Sequence, residues 1–239
     1  MLRLFRGELA KTFSTRTLYA FALGTVAFSL LNAVIVGAAS GDLHRVTEKE
    51  EALSCLPILW LVWGVVGAAG EYRHRTAAPA ALVARSGRGP LLIARMSAYA
   101  VTGLGLAVLA GGAGLALAWP LLDAKPGPNL DLAQLVAVEL GNLAVCAMSA
   151  VLGAALGALI RNQVVAVVVL LVLNFAVIPL VAGSQEGLMN LTPFGASSVL
   201  SRMTHNTTIT VLAAAAILAG WTLLVTVAAL AAEGRRDLA

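Results

Sequence analysis

Charged positions divide the chain into six long uncharged stretches: 17–41 (25 residues), 52–70 (19), 96–122 (27), 140–160 (21), 162–185 (24) and 203–232 (30). About 20 consecutive apolar residues carry an α-helix across about 30 Å of hydrocarbon. Every stretch meets or nearly meets that length. The pattern therefore predicts six transmembrane helices, near 18–39, 52–70, 96–119, 133–160, 164–183 and 209–232. The remaining residues are shared among two tails and five loops, so residues 1–239 are expected to form one all-α, polytopic transmembrane domain.

Shorter patterns fill in the rest. Leu2, Phe5, Leu9 and Phe13 recur at helical spacing between Arg3, Arg6, Glu8 and Lys11, which suits an amphipathic helix over 1–17 lying at the membrane interface. The segment GEYRHRTAAPAALVARSGRGPLLIAR is too long for a turn and too basic for a span. It breaks at Pro79 and again at Gly87–Pro90, so a short helix along the membrane surface is expected between helices 2 and 3. In helix 4, Gly141, Val145, Ser149, Gly153 and Gly157 recur every four residues, a stripe that lets another helix approach closely. Residues 184–208 are too apolar for a solvated loop and too broken for a span, and read as interfacial half-helices between helices 5 and 6.

Charge distribution gives the orientation. Only 12% of the 239 residues are charged, about half the usual share for a soluble domain, and mean hydropathy is +0.89. Twelve basic residues fall in the amino tail, the 2–3 loop, the 4–5 turn and the carboxyl tail. Four (Arg45, Lys49, Lys125 and Arg202) fall on the other side, together with most of the acidic residues. Basic residues favour the cytoplasmic side of short loops, so both termini are expected inside. The net charge of +4 is then a basic inner face over an acidic outer one, and nucleic-acid binding is not expected, because no aromatic platform beyond Tyr72 accompanies the basic loop. The first uncharged stretch also exceeds the 7–15 residues of a signal-peptide core, so it is expected to be retained as a span.

Several chemistries find no support. Cys55 and Cys146 both fall in expected spans as small apolar residues, and His44, His74 and His205 lie in loops on differing sides, so no metal site is expected. No Asp, Glu or His occupies the centre of a span, and Glu139 falls at the outer end of helix 4. None of the three lysines follows a glycine, which excludes a phosphate-binding G-x-x-x-x-G-K-[ST] loop. The chain is not expected to be an enzyme by itself, nor to hold a cofactor. Two tryptophans, Trp60 and Trp63, fall near mid-depth although tryptophan favours interfaces; they serve either as walls of a pathway or in helix packing. Asn174, also near mid-depth, needs a partner for its amide, either across a helix interface or along a substrate pathway.

The E-L-x-K-like stretch Glu8-Leu9-Ala10-Lys11, the G-E-Y-R-x-x-T of Gly70 to Thr76, Leu156 to Phe175 and Asn190 to Leu200 resemble permease subunits of type 2 ABC exporters. Arg75 departs from the family, where many relatives carry glycine. The thirteen arginines against three lysines, with abundant Ala and Gly, suit a GC-rich bacterial genome such as an actinobacterial one. The resemblance implies a bacterial inner-membrane protein working as a dimer with a second copy or a related permease, docked to two separate ABC ATPase subunits that hold the ATP and Mg. It also implies that Glu71, Tyr72, Arg73 and Arg75 are coupling or gating positions, and that Trp60, Trp63 and Asn174 line the pathway. Substituting Glu71 or Arg73 is accordingly expected to leave membrane insertion intact and to depress transport. Two alternatives are a non-transporting membrane partner, such as an immunity or sensor protein, and an ATP-independent carrier. The lack of a match between 1–120 and 121–239 counts against the carrier.

Overall fold

The computed structural model describes residues 1–39, 41–73, 87–180, 186–204 and 208–235. Arg75 and the surface helix expected between helices 2 and 3 lie outside the described residues. Among those residues every regular element is helical: α1 (Leu2–Ser14), α2 (Arg16–Val34, continued by a π-helical turn Ile35–Ala39), α3 (Val46–Glu51), α4 (Pro57–Arg73), α5 (Arg88–Asp123), α6 (Leu132–Ile160), α7 (Gln163–Val172, followed by a π-helical turn Leu173–Val177), α8 (Glu186–Leu191), α9 (Pro193–Leu200) and α10 (Val211–Arg235).

Local chemistry sets the starts of these helices. Asp131 caps α6 by accepting the Leu132 N–H at 2.8 Å, while the Gln134 side chain returns to the Asp131 N–H at 2.8 Å, a reciprocal capping box. The Asn162 side chain caps α7 through Val164 and Val165, and Thr192 caps α9 ahead of Pro193, where the missing proline N–H leaves no bond unmade.

Among the described residues five helices are long and apolar enough to cross a membrane: Arg16–Gly37, Arg88–Asp123, Leu132–Ile160, Gln163–Leu180 and Val211–Arg235. The chain is thus a multi-pass membrane protein. The expected span over 52–70 is not among the five. Its helix, α4, begins later, at Pro57, and has 17 residues. Yet α4 is the most interior of the long helices, with Leu61, Trp63, Val65, Ala68 and Ala69 each no more than 2% exposed.

Helix 3 also differs from its expected bounds of 96–119. α5 starts at Arg88, because Gly87, at φ +83, turns the chain and Pro90 falls in the first turn, where proline is tolerated. Arg88 and Arg95, assigned by charge to a loop, are therefore helical.

The centre of the bundle is α4 against α6. A Cβ on Gly64 would lie 2.1 Å from the Ala150 carbonyl oxygen, and one on Gly153 would lie 2.1 Å from that of Leu61. The later part of the stripe on α6, Gly153 and Gly157, thus meets the α4 backbone at a closeness that glycine permits, whereas Gly141 meets the Leu200 carbonyl of α9. Around this pair, α2 packs on α5, α5 and α10 on α6, α7 on α4, and α9 on α10.

The ends of the bundle differ. At the distal end, Lys49 is 1% exposed and donates to the Leu122 carbonyl at 3.0 Å, the Lys125 carbonyl at 3.3 Å and Asn129 Oδ1 at 2.9 Å. A buried ammonium thereby caps the C-terminus of α5, where the helix dipole favours positive charge. Asn142 of α6 donates to the Leu53 carbonyl at 2.8 Å and accepts the Cys55 N–H at 3.2 Å. Cys55 therefore lies in the α3–α4 link and not in a span. Its Sγ is 3.9 Å from that of Cys146, and both thiols are free. The distal segment ahead of α10 forms two short helices, tied down by Asn190 Nδ2 to Thr208 Oγ1 and by Trp221 Nε1 to the Leu191 carbonyl, both at 2.9 Å. The proximal end gathers α1, the first turns of α5, the α6–α7 turn and the last turns of α4 and α10, and it carries the candidate site.

Candidate functional site

The last turn of α4 presents Glu71, Tyr72 and Arg73 in three directions, since successive helical residues are rotated by about 100°. Each reaches a different neighbour. Glu71 is buried and contacts both Lys11 of α1 and Arg95 of α5. Arg95 Nε lies 3.4 Å from Glu8 Oε2, and Lys11 Nζ lies 3.9 Å from the same oxygen. Two carboxylates and two cations thus close a ring that joins α1, α4 and α5. The side chains of Arg95 and Glu71 are 4% and 6% exposed, which is tolerable because each charge meets its opposite.

Tyr72 points the other way. Its Oη lies 3.2 and 3.3 Å from the two carboxylate oxygens of Glu233 on α10. Glu233 in turn pairs with Arg161 Nη2 at 2.7 Å, and the Arg161 guanidinium stacks 5.1 Å from the centre of the Tyr72 ring, within range of a cation–π contact. Arg161 holds the left-handed turn that ends α6, at φ 57. Arg73 is exposed, and its Nη1 lies 3.5 Å from Gln163 Oε1 at the start of α7. Three consecutive residues thereby touch α1, α5, the α6–α7 turn, α7 and α10. A cavity of about 340 Å³ opens beside the ring, between Lys11, Thr15, Glu71, Tyr99 and Gln163, with Trp63 at its floor.

The structure thus brings together Glu71, Tyr72 and Arg73, with Trp63 lining the same cavity as Glu71, and places Trp60 and Asn174 elsewhere. Trp63 is 1% exposed and makes edge-on contacts with Phe21 at 5.1 Å and Tyr99 at 5.6 Å. Trp60 lines a different, smaller cavity toward the distal half. Asn174 sits in the π-helical turn of α7, half-buried, with no hydrogen-bond partner among the described residues. π-turns within helices are frequent at functional positions.

Sequence reasoning missed Glu8, Arg95, Arg161 and Glu233 as members of the site. Arg95 did carry a signal: a lone arginine inside the apolar run LLIARMSAYA must find a partner if the run is helical. Glu8 stood out only within the Glu8–Lys11 stretch and Glu233 not at all, since Arg95 and Arg161, with which they pair, lie 87 and 72 positions away along the chain. The ring is electrically neutral and every charge in it is engaged, so it is built as a clamp. No group of three or more acidic, His or Cys side chains suited to a metal occurs among the described residues.

No protein-family model matches the chain, and a search of curated proteins finds no significant match.

Proposed function

We propose that the chain is the membrane-spanning subunit of an ATP-driven ABC exporter in a bacterial inner membrane. It forms a substrate pathway with a second copy or a related permease, and two separate ATPase subunits power it. In this reading α4 is a sixth crossing. Both α2 and α5 run from the proximal to the distal end, so the chain must return between them, and α4 does so from the Asn142 anchor to the Glu71 ring. Its 17 residues span about 26 Å, just under the hydrocarbon thickness. Among the described residues the proximal end carries Arg3, Arg6, Lys11, Arg16, Arg73, Arg88, Arg95, Arg161 and Arg235, while the distal end carries Arg45, Lys49, Lys125 and Arg202. That excess supports a cytoplasmic proximal end, with both termini inside.

The observation that carries the reading is the divergence of Glu71, Tyr72 and Arg73 at one helix end. A force applied to α1 or to the segment after Arg73 would reach α4, α5, α6 and α10 through ion pairs and not through lipid. A membrane domain driven from the cytoplasm needs such a junction. The resemblance of Gly70–Thr76 to the exporter permeases names the driver. The test is expression of the tagged chain with its neighbouring gene products: recovery of a nucleotide-binding subunit in stoichiometric amount is expected. Recovery of the chain alone, under conditions that preserve other membrane complexes, would overturn the proposal.

A further inference from the structure

Glu139 lies seven residues into the 29-residue α6, about 10 Å from its distal end. A helix of about 43 Å overhangs about 30 Å of hydrocarbon by only four or five residues at each end, so this carboxyl is inside the apolar layer. It points inward. A Cβ on Gly111 of α5 would lie 2.7 Å from Glu139 Oε2, so the carboxyl occupies a notch that the glycine leaves open.

The notch opens on a cavity of about 30 Å³ between α2, the α3–α4 link, α4, α5 and α6, room for one or two waters. Two buried polar atoms at this cavity have no partner among the described residues: Glu139 Oε1 and Trp60 Nε1. Trp60 is 3% exposed, and a buried indole N–H without an acceptor is costly. Of the other polar side chains of the wall, the hydroxyls of Ser29 and Ser54 face it as neutral groups, while Thr25 and Asn142 are already engaged. Thr25 donates to the Phe21 carbonyl at 2.8 Å, and Asn142 holds the α3–α4 link through both ends of its amide. The titratable groups facing Glu139 are the thiols of Cys55 and Cys146; none of the described lining residues is Lys, Arg, His or Asp.

We propose that this cavity is an intramembrane proton-binding site, in which Glu139 holds the proton and one or two waters bridge its carboxyl to the indole N–H of Trp60. An ionised Glu139 would have no counter-charge in the cavity, and an isolated charge in an apolar layer neutralises itself by taking up a proton. A sodium ion fits less well. Hard cations need several oxygen ligands, preferably charged or carbonyl ones, whereas beside Glu139 this wall offers the neutral hydroxyls of Ser29, Ser54 and Thr25, two thiols, a donor N–H and an asparagine whose oxygen is already used. The proposal rests on the chain being a membrane protein and is independent of any ATPase partner.

Infrared difference spectroscopy of the purified full-length chain in lipid vesicles tests it. At neutral pH the wild type should show the carbonyl stretch of a buried protonated carboxyl, shifted in D2O and lost as pH rises. The band should vanish in the isosteric variant Glu139→Gln, survive in Glu50→Gln and move in frequency in Trp60→Phe. A wild-type spectrum without the band, or one unchanged by Glu139→Gln, overturns the proposal. So does a band that disappears at constant pH when choline is replaced by Na+, which would mark a cation site. The pH and sodium titrations use the wild type alone and do not depend on any variant folding.

Discussion

Replacing Glu71 by Gln removes the carboxylate shared by Lys11 and Arg95 while keeping the side-chain shape. The ring of Glu8, Glu71, Lys11 and Arg95 then carries one uncompensated positive charge. Lys11 is 39% exposed and can turn toward water, so its lost contact counts for little. Arg95, at 4% exposure, cannot. Breaking a buried pair and stranding one partner costs about 3–5 kcal/mol. Glu8 still lies 3.4 Å from Arg95 Nε, which places the cost of Glu71→Gln at the lower end, about 3 kcal/mol. Arg95→Met should cost a similar amount, because it leaves the buried carboxylates of Glu8 and Glu71 to share Lys11 alone. The pair of substitutions together restores neutrality, leaving Glu8 with Lys11, and should cost clearly less than the sum, with a coupling of about 2 kcal/mol. Reversible unfolding in mixed micelles, followed by the fluorescence of the four tryptophans, measures all three variants. A Glu71→Gln variant within about 0.5 kcal/mol of wild type, or additive single costs, would show that the ring does not hold α1 and α5 to α4.

Other consequences follow from particular contacts. Gly153→Ala should cost about 1–3 kcal/mol by forcing α4 away from α6, whereas Gly105→Ala, with open space at its Cβ, should be neutral or slightly stabilising in the same unfolding assay. Lys49→Met strips the ammonium from the C-terminus of α5 and leaves Asn129 Oδ1 without its donor, while the Leu122 carbonyl keeps the Lys125 N–H, a loss of about 1–3 kcal/mol. Arg73→Ala removes an exposed side chain and should change stability by less than about 0.5 kcal/mol; reduced transport at full membrane insertion would then isolate its role in coupling.

The apolar segments were legible because a membrane span is a local property, readable from the gap between two charges. α6 and α10 accordingly lie close to their expected bounds. Charge misled where it was paired. Arg88 and Arg95 marked a loop by the same logic that found the spans, but a salt bridge to Glu8 and Glu71 lets Arg95 sit inside α5. Lys49 was assigned to the outer side by charge alone, and carbonyl oxygens at the end of α5 hold it buried there. Glu139 was placed at a helix end by counting, whereas only the packing of α5 against α6 reveals that it faces inward. Substituting Glu71 or Arg73 was expected to leave membrane insertion intact and to depress transport. The burial of Glu71 between two cations makes it a structural residue as well, which leaves Arg73 as the cleaner probe of coupling.

The central claim is that the proximal junction receives force from an ATPase. ATP turnover by the chain reconstituted in lipid vesicles with its co-purified nucleotide-binding subunit tests it most directly, with wild type and Arg73→Ala compared at equal incorporation. The account predicts that the wild-type chain changes the turnover of the ATPase and that Arg73→Ala weakens this effect without loss of assembly. Turnover identical with and without the chain would contradict it.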